Sequence, residues 1–398
     1  MTINLISNKR DKHSLSSKKI QLWFPNIFQF KGGVQVYSAF LLEALKSSYS
    51  QMEYNVFLKH DIHCLASSYC FKNIHFHYAG SWHKKIRTIG FAAQIVLFTI
   101  WKKPNLIISS HINFSVLAYF INRLLGIPYW TVVHGVDAWN ITNPALSKAL
   151  LYAERILAVS NYTKDRLIKE QKLNPNKISI LPNTFDINKF QIAEKPKYLL
   201  DRYGLKSDQL IILTVARLAG SDRYKGYDQI IQVLPNIRSQ IPNIHYVLVG
   251  QGKDKARIEK LIIEHNLQDA VTLTGFVEDL ELCDHYNLCD VFAMPSQKEG
   301  FGIVFLESLA CGKPTLGGNQ DGAVDALCNG ELGALVDPLD QEEIARTLIQ
   351  ILQGNYSHPL IYQPEILRQK VIDIFGFRQF TETLKNLIAN SSINEKFK

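Results

Sequence analysis

The sequence predicts an α/β protein built from two doubly wound parallel-sheet domains, and three observations carry that expectation. At 398 residues the chain is too long for one comfortable core, so two domains of roughly 180 to 200 residues are expected. Short apolar runs alternate with amphipathic stretches along most of its length, which is the βαβ pattern. A polar stretch from Asp186 to Asp208 separates two such series, and the join is placed near residue 190.

In the first series, apolar runs at 20–24, 54–58, 74–78, 106–109, 129–133, 156–159 and 178–181 read as strands. Helical spacing fills the gaps at 35–46, 86–101, 115–125, 145–152 and 164–171, and Ser160 is placed as a helix cap. The second series has strands at 210–215, 245–249, 271–273, 291–294, 314–316 and 334–336. Its helices fall at 227–239, 255–265, 278–287, 303–310 and 341–352. Residues 355–390 are helical again, with a Ser/Asn-rich tail that is expected to fray. The expected organisation is a basic extension at 1–19, domains at 20–190 and 191–375, and a C-terminal helix at 376–398 returning to the first domain. Ligands of doubly wound sheets sit beyond the carboxyl ends of the strands, so two facing sheets imply an interdomain cleft.

Composition narrows the partners. With 46% apolar and 20% charged residues, both halves bury a full core. The net charge of +8 favours anions: nucleotide phosphates, an acidic membrane surface or nucleic acid. No helix-turn-helix, zinc finger or aromatic RNA sheet is visible, which argues against nucleic acid. Cys64, Cys70, Cys283, Cys289, Cys311 and Cys328 form no C-x-x-C pair, so no metal site is expected and a reducing cytoplasm fits. The first nineteen residues are polar and basic, unlike a secretory signal. Ile89 to Trp101 is the longest apolar stretch and is too short to span a bilayer. Lys84, Lys85 and Arg87 before it, and Lys102 and Lys103 after it, suit either a buried helix with solvated ends or a helix lying on an anionic membrane.

The sharpest chemical segment is Glu299-Gly-Phe-Gly-Ile-Val-Phe-Leu-Glu307, which follows a strand ending at Met294-Pro-Ser. Free amides at the coming helix start suit an anion, and the carboxylates suit sugar and ribose hydroxyls. Each Glu alone is commonplace; their placement after a strand singles them out. Arg217, at the end of the second domain's first strand, and Lys225, eight residues on, form a two-pronged cation for a departing diphosphate. Arg223 between them adds a third basic group. In the first domain, Gly32 and Gly33 let backbone amides approach a phosphate, but their spacing fits neither a dinucleotide fingerprint nor a Walker loop. His134 closes the strand at 129–133, where it serves either as a structural residue or as a donor to substrate through its ring or its carbonyl. No D-x-D pair suits a metal-diphosphate, and Gly250-Gln-Gly252 reads as a turn.

After residue 19 the chain resembles the retaining glycosyltransferases of family four, with the GT-B fold. The elements that carry the resemblance run in order: Lys31-Gly-Gly-Val, Val133-His134-Gly, Val159-Ser160, Leu181-Pro-Asn183, Ala216-Arg217-Leu, Lys225-Gly226, Thr274-Gly-Phe276-Val277, Glu299 to Glu307, and Ala310-Cys-Gly-Lys-Pro. The resemblance implies two Rossmann-like domains, the first binding the acceptor and the second a nucleotide diphosphate-sugar. It implies that Gly32 and Gly33 meet the diphosphate, His134 the transferred sugar, and Arg217 and Lys225 the leaving group. Glu299 would hold sugar hydroxyls beside the backbone of Phe301, Gly302 and Ile303; Glu307 would hold the ribose, and the backbone at Phe276 and Val277 the base. Asp137 and Asn183 become acceptor-side candidates, although Thr184 stands where many relatives have glycine. No role follows for the segment 318–325. The implied reaction is a metal-independent, cofactor-free hexosyl transfer from a GDP- or UDP-linked donor to a glycan or lipid-linked acceptor, in surface polysaccharide or glycolipid assembly. A silent sugar-nucleotide-binding subunit and a nucleotide-sugar epimerase of the same fold are the alternatives.

Overall fold

The computed structural model of the protein describes residues 18–29, 32–63 and 72–391. Residues 1–17 of the expected extension, Lys31, Cys64, Cys70 and the tail beyond 391 lie outside the described residues; the last two residues expected in the extension are instead part of the fold, Lys18 being buried and Lys19 opening the first strand. The chain divides into two units, one of Met1–Val159, Thr163–Leu181 and Phe380–Lys398, the other of Ser160–Tyr162 and Pro182–Gln379.

The first unit holds seven parallel strands: β1 (Lys19–Phe24), β2 (Glu53–Leu58), β3 (Ile74–Tyr78), β4 (Leu106–Ser109), β5 (Tyr129–Val133), β6 (Arg155–Ala158) and β7 (Ile178–Ile180). Their order is β3-β2-β1-β4-β5-β6-β7. These strands read as unbroken apolar runs because helices cover both faces of the sheet. Trp23, Ile107, Tyr129 and Ile156 share one buried cluster with Phe91, Ile95, Ala118 and Ile121 from the covering helices. The order reverses beside β1, which pairs with β2 on one side and β4 on the other. From Phe380 onward the last helix, Phe377–Ala389, belongs to this unit, and Phe380 stands edge-on to Tyr37 at 5.6 Å.

The second unit holds six parallel strands: β8 (Leu210–Val215), β9 (Ile244–Val249), β10 (Val271–Gly275), β11 (Val291–Met294), β12 (Thr315–Gly318) and β13 (Ala334–Val336). Their order is β10-β9-β8-β11-β12-β13, so the reversal falls beside β8, between β9 and β11. The core is built from Ile212, Tyr246, Leu248 and Val291 with Ile230, Leu234 and Leu348 of the helices.

Two elements depart from the expected pattern. The polar stretch 186–208 contains a short helix, Lys197–Tyr203, because Leu199 and Leu200 find a buried side and Gly204 closes the helix at φ 64°. The helix expected from Glu278 begins only at Leu282.

Candidate functional site

In the second unit Arg217, Lys225 and Glu299, three of the expected site residues, gather where the strand order reverses, past the carboxyl ends of β8 and β11. This is where an open α/β sheet splays its loops apart and admits a ligand. Arg217 stands two residues past β8, on backbone clamped by the loop after β9. Ala216 donates to Val249 O at 3.0 Å, and Leu218 donates to Gln251 O at 3.0 Å. That approach requires Gly250 and Gly252, since an added Cβ would stand 1.8 Å from Ala216 O and 1.8 Å from Leu218 O respectively. The turn expected from Gly250-Gln-Gly252 is therefore the brace that places Arg217. The Arg217 guanidinium points outward, 65% exposed, and is ion-paired to the buried Asp222. Arg223, whose side chain is half exposed, engages the buried Asp254 at 3.0 Å, in a network that also holds Arg257 and Tyr227.

A 3-10 turn, Gly220–Lys225, ends at Lys225, whose ammonium is ion-paired with the Glu299 carboxylate. Burial pushes the Lys225 pKa down, and Glu299, together with Tyr224 and Asp222, more than offsets this, holding it above the ordinary lysine value. The two loops are tied together at the backbone. Gln297 donates to Tyr224 O at 2.9 Å, and Gly226, at φ 86°, would drive an added Cβ to 2.4 Å from Pro295 O.

Glu299 is itself aimed by the segment 318–325, for which the sequence suggested no role. Its N–H donates to Asp321 Oδ2 at 2.7 Å, and its carbonyl accepts from Gly322 N at 2.8 Å. Asp321 is fully buried, and burial pushes its pKa up to about 7 against the pull of the Glu299 and Ala323 amides. Nothing in the sequence distinguished Asp222 or Asp321 from surface carboxylates. Gly322, directly after Asp321, was the available signal.

The chain then turns through Phe301 and Gly302 into the helix Ile303–Ala310. Phe301 is buried against Phe375 at 5.5 Å, so only its backbone is available to a ligand. Gly302 starts the helix at φ 86°. Glu307 is buried and accepts a hydrogen bond from Tyr286 Oη at 2.7 Å. Burial raises its pKa to about 7, opposed by the Tyr286 hydrogen bond. Phe276, 61% exposed, and the half-buried Val277 follow β10 at the edge of the sheet.

His134, Asp137, Gly32 and Gly33 belong to the first unit, and every other expected site residue, Asn183 included, to the second. Gly32 caps the helix Gly33–Ser48 in extended conformation at φ −159°. Among the described residues a Cβ on Gly33 would meet nothing within 4 Å, so their packing does not require glycine there. The preceding loop is shaped by Asp61, a buried carboxylate the sequence reading passed over. It accepts from Ile27 N at 2.6 Å and from Gln29 N at 2.9 Å.

His134 Nε2 lies 2.8 Å from the Ser110 carbonyl, which only accepts, so Nε2 carries the proton and donates it there. The ring meets Tyr37 edge-on at 5.1 Å. Burial, against the Ser110 hydrogen bond, lowers its pKa to about 4 and keeps it neutral. The only ring N–H is thus committed, so the ring keeps only the acceptor Nδ1 to offer a ligand. Asp137 accepts from His134 N at 2.9 Å, and burial raises its pKa to about 7. Among the described residues its Oδ2 has no partner, and the same holds for Asn183 Oδ1 and Thr184 Oγ1.

Among the described residues no three His, Cys, Asp or Glu side chains stand together as metal ligands. Cys283, Cys289, Cys311 and Cys328 are free thiols.

A model of the family described as glycosyl transferases group 1 matches residues 199–365, and one described as glycosyltransferase family 4 matches residues 31–189. Among curated proteins, the chain is 31% identical over 202 residues to the GDP-mannose-dependent alpha-(1-6)-phosphatidylinositol monomannoside mannosyltransferase of Mycobacterium tuberculosis. That match takes in 49% of this chain and 51% of the relative, so the chain spans about half the length of the curated relatives it matches. Among solved structures, the sucrose-phosphate synthase of Thermosynechococcus elongatus superposes with a TM-score of 0.76 at 21% identity, over 93% of this chain and 98% of that one. Anabaena HepE in complex with UDP-glucose superposes with a TM-score of 0.74 at 18% identity, over 93% and 99%. At these identities the structural likeness is one of fold. The two models between them take in most of the chain, in the expected order, on a pair of sheets that superposes on GT-B structures along nearly their whole length. The protein belongs to the glycosyltransferases of family four.

Proposed function

We propose that the protein transfers a hexose from a GDP- or UDP-linked donor to a glycan or lipid-linked acceptor, with retention at the anomeric carbon and without a metal ion or cofactor. On this reading it works in surface polysaccharide or glycolipid assembly, at the cytoplasmic face of an anionic membrane. The observation that carries the proposal is the Lys225–Glu299 ion pair with the outward Arg217, all at the strand reversal of the second sheet. Cations suited to a diphosphate stand there beside a carboxylate suited to sugar hydroxyls. The names of the relatives support the donor class, since one is GDP-mannose-dependent and one solved neighbour is in complex with UDP-glucose.

In the proposed reaction the bond from the anomeric carbon to the diphosphate oxygen breaks ahead of bond formation to the acceptor oxygen. The acceptor proton passes to the departing phosphate oxygen on the same face, so no protein base is needed. Arg217 and Lys225 offset the charge that grows on the diphosphate, in company with the Gly32 and Gly33 amides. Glu299 orients the sugar by accepting its hydroxyls, beside the backbone of Phe301, Gly302 and Ile303. Glu307 accepts from the ribose, and the backbone at Phe276 and Val277 meets the base. The neutral His134 offers its carbonyl to the cationic sugar, and Asp137 and Asn183 line the acceptor side.

The test is a panel of nucleotide sugars, scored by thermal shift and by slow donor hydrolysis, on wild type and Glu299→Ala. One donor is expected to stabilise both proteins and to be hydrolysed by wild type only. A panel in which none binds or reacts would reject the transferase reading in favour of a silent subunit.

The pKa of Glu307 makes a second expectation. With its pKa raised to about 7, the folded protein holds a proton there that the unfolded chain releases near the ordinary glutamate value. This share of stability is full below the unfolded value and is lost as pH rises through about 7. Ribose hydroxyls donating to the carboxylate favour its ionised form, so affinity for the intact nucleotide sugar rises about tenfold between about pH 6 and 8. Titration calorimetry across that range checks it, and Glu307→Gln is expected to flatten the dependence.

A further inference from the structure

We infer that one face of the first unit, formed by the helices Lys84–Lys102, Ser115–Leu125 and Pro144–Tyr152, is a docking surface for the anionic headgroup layer of a lipid bilayer. This deepens the proposed function by naming the surface through which a lipid-linked acceptor is met. It is read out by vesicle binding, separately from donor chemistry.

The three helices lead from β3 to β4, β4 to β5 and β5 to β6, and right-handed crossovers set all three on the same side of the sheet. Phe91, Ile95, Ala118, Ile121 and Leu150 fill one core beneath them. The helix Lys84–Lys102 buries Phe91, Ile95 and Thr99, and a solvent-facing helix would carry polar groups on the opposite side. Here that side carries Ile86, Ile89, Leu97 and Ile100, which fall within about 80° of one another at 3.6 residues per turn. They are 51% to 74% exposed, and Trp101 beside them is 72% exposed. The next helix repeats the arrangement with Phe120 and Leu124, four residues apart, and Leu125. Leu151 and Tyr152 continue it on the third, where Tyr152 meets Tyr119 at 5.2 Å. Ten of the twenty large apolar side chains exposed among the described residues thus lie on these three helices.

Charge selects the occupant. The chain has 36 acidic residues, yet none lies between Asp61 and Asp137 and none on any of the three helices. The exposed cations Lys84 and Lys85 flank one end of the first stripe and Lys103 the other, and Arg123 and Lys148 are exposed on the neighbouring helices. A second copy would oppose one such cationic face to another, which repels. An apolar strip ringed by Lys and Arg, with a Trp at its border, matches the boundary between acyl chains and anionic headgroups. Among the described residues no helix is long and apolar enough to cross a membrane, so the fit is to a helix lying in the interface.

The test is co-sedimentation of the full chain with vesicles of phosphatidylcholine alone, or with about one third phosphatidylglycerol. Binding is expected only to the phosphatidylglycerol vesicles, weakening as salt rises from about 50 to about 500 mM. Neutralising Lys84 and Lys85 to alanine is expected to weaken it about thirtyfold. Ile89→Glu with Leu97→Glu should abolish binding, with melting temperature and donor hydrolysis unchanged because both side chains are exposed and remote from the site residues in sequence. The inference is overturned if wild type does not sediment with the acidic vesicles. It is equally overturned if the Glu variant still does, or if the face instead supports a dimer in analytical ultracentrifugation that this variant dissolves.

Discussion

Lys225→Ala is expected to slow donor cleavage by about a hundred- to a thousandfold, the usual effect of removing one preorganised group that stabilises developing charge. The ammonium is held above the ordinary lysine value by Glu299 together with Tyr224 and Asp222, so it carries its charge at neutral pH. Its position is set by the 3-10 turn on one side and by the Tyr224–Gln297 backbone bond on the other. Arg217→Ala should cost a similar factor. The double variant should lose less than the product of the two, because both cations act on the same departing phosphate. Lys225→Arg is not expected to restore the rate, since a planar fork cannot replace a compact ammonium against Glu299. Single-turnover hydrolysis of the donor identified in the panel measures all four proteins, with thermal melts run alongside. A loss below about tenfold for Lys225→Ala would remove the leaving-group role assigned to it.

Gly252→Ala is expected to destabilise the second unit by at least about 3 kcal/mol, an overpacking effect at the upper end of the usual range. The added methyl would lie 1.8 Å from Leu218 O and 2.4 Å from its carbonyl carbon, and backbone, unlike the end of a flexible side chain, does not swing aside. For a unit of this size such a loss lowers the melting temperature by about 6 to 12 °C. Gly250→Ala should behave alike, with the further strain of φ 148°. Both push on the residues flanking Arg217, so survivors should also bind the donor weakly. Gly33→Ala is the contrast: none of the described residues would crowd its Cβ, and alanine suits a helix start, so stability should hold or rise slightly. If Gly33 serves as close backbone approach for a diphosphate, that stable variant loses donor affinity. Differential scanning calorimetry of the three variants separates the two uses of glycine.

Most strands and helices were legible because their signals are local. A buried parallel strand is a short apolar run, a covering helix has its own period, and neither depends on what lies far off in sequence. The helix Lys197–Tyr203 was missed because only Leu199 and Leu200 mark it inside a polar stretch, and one buried pair does not make a period. Arg217, Lys225, Glu299 and Glu307 were legible as a set because each sits just after a strand or inside the following helix, where sequence position already implies place.

The sequence by itself determined the two parallel sheets, the basic balance, and which side chains stand at the carboxyl ends of the strands. The tertiary structure decided which charges meet. It joined Lys225 to Glu299 across 74 positions and set Asp321 under the Glu299 amide. It turned Arg223 toward Asp254, committed the His134 N–H to Ser110, and made a brace of two glycines that read as a turn. It also turned Ile86, Ile89, Leu97 and Ile100 of Lys84–Lys102 outward, where the sequence alone favoured a buried helix with solvated ends. The physical reason is common to all of these. Hydrophobic periodicity is written along the chain, whereas ion pairs, close backbone approach and the choice of which helix face is covered depend on residues that only folding brings side by side.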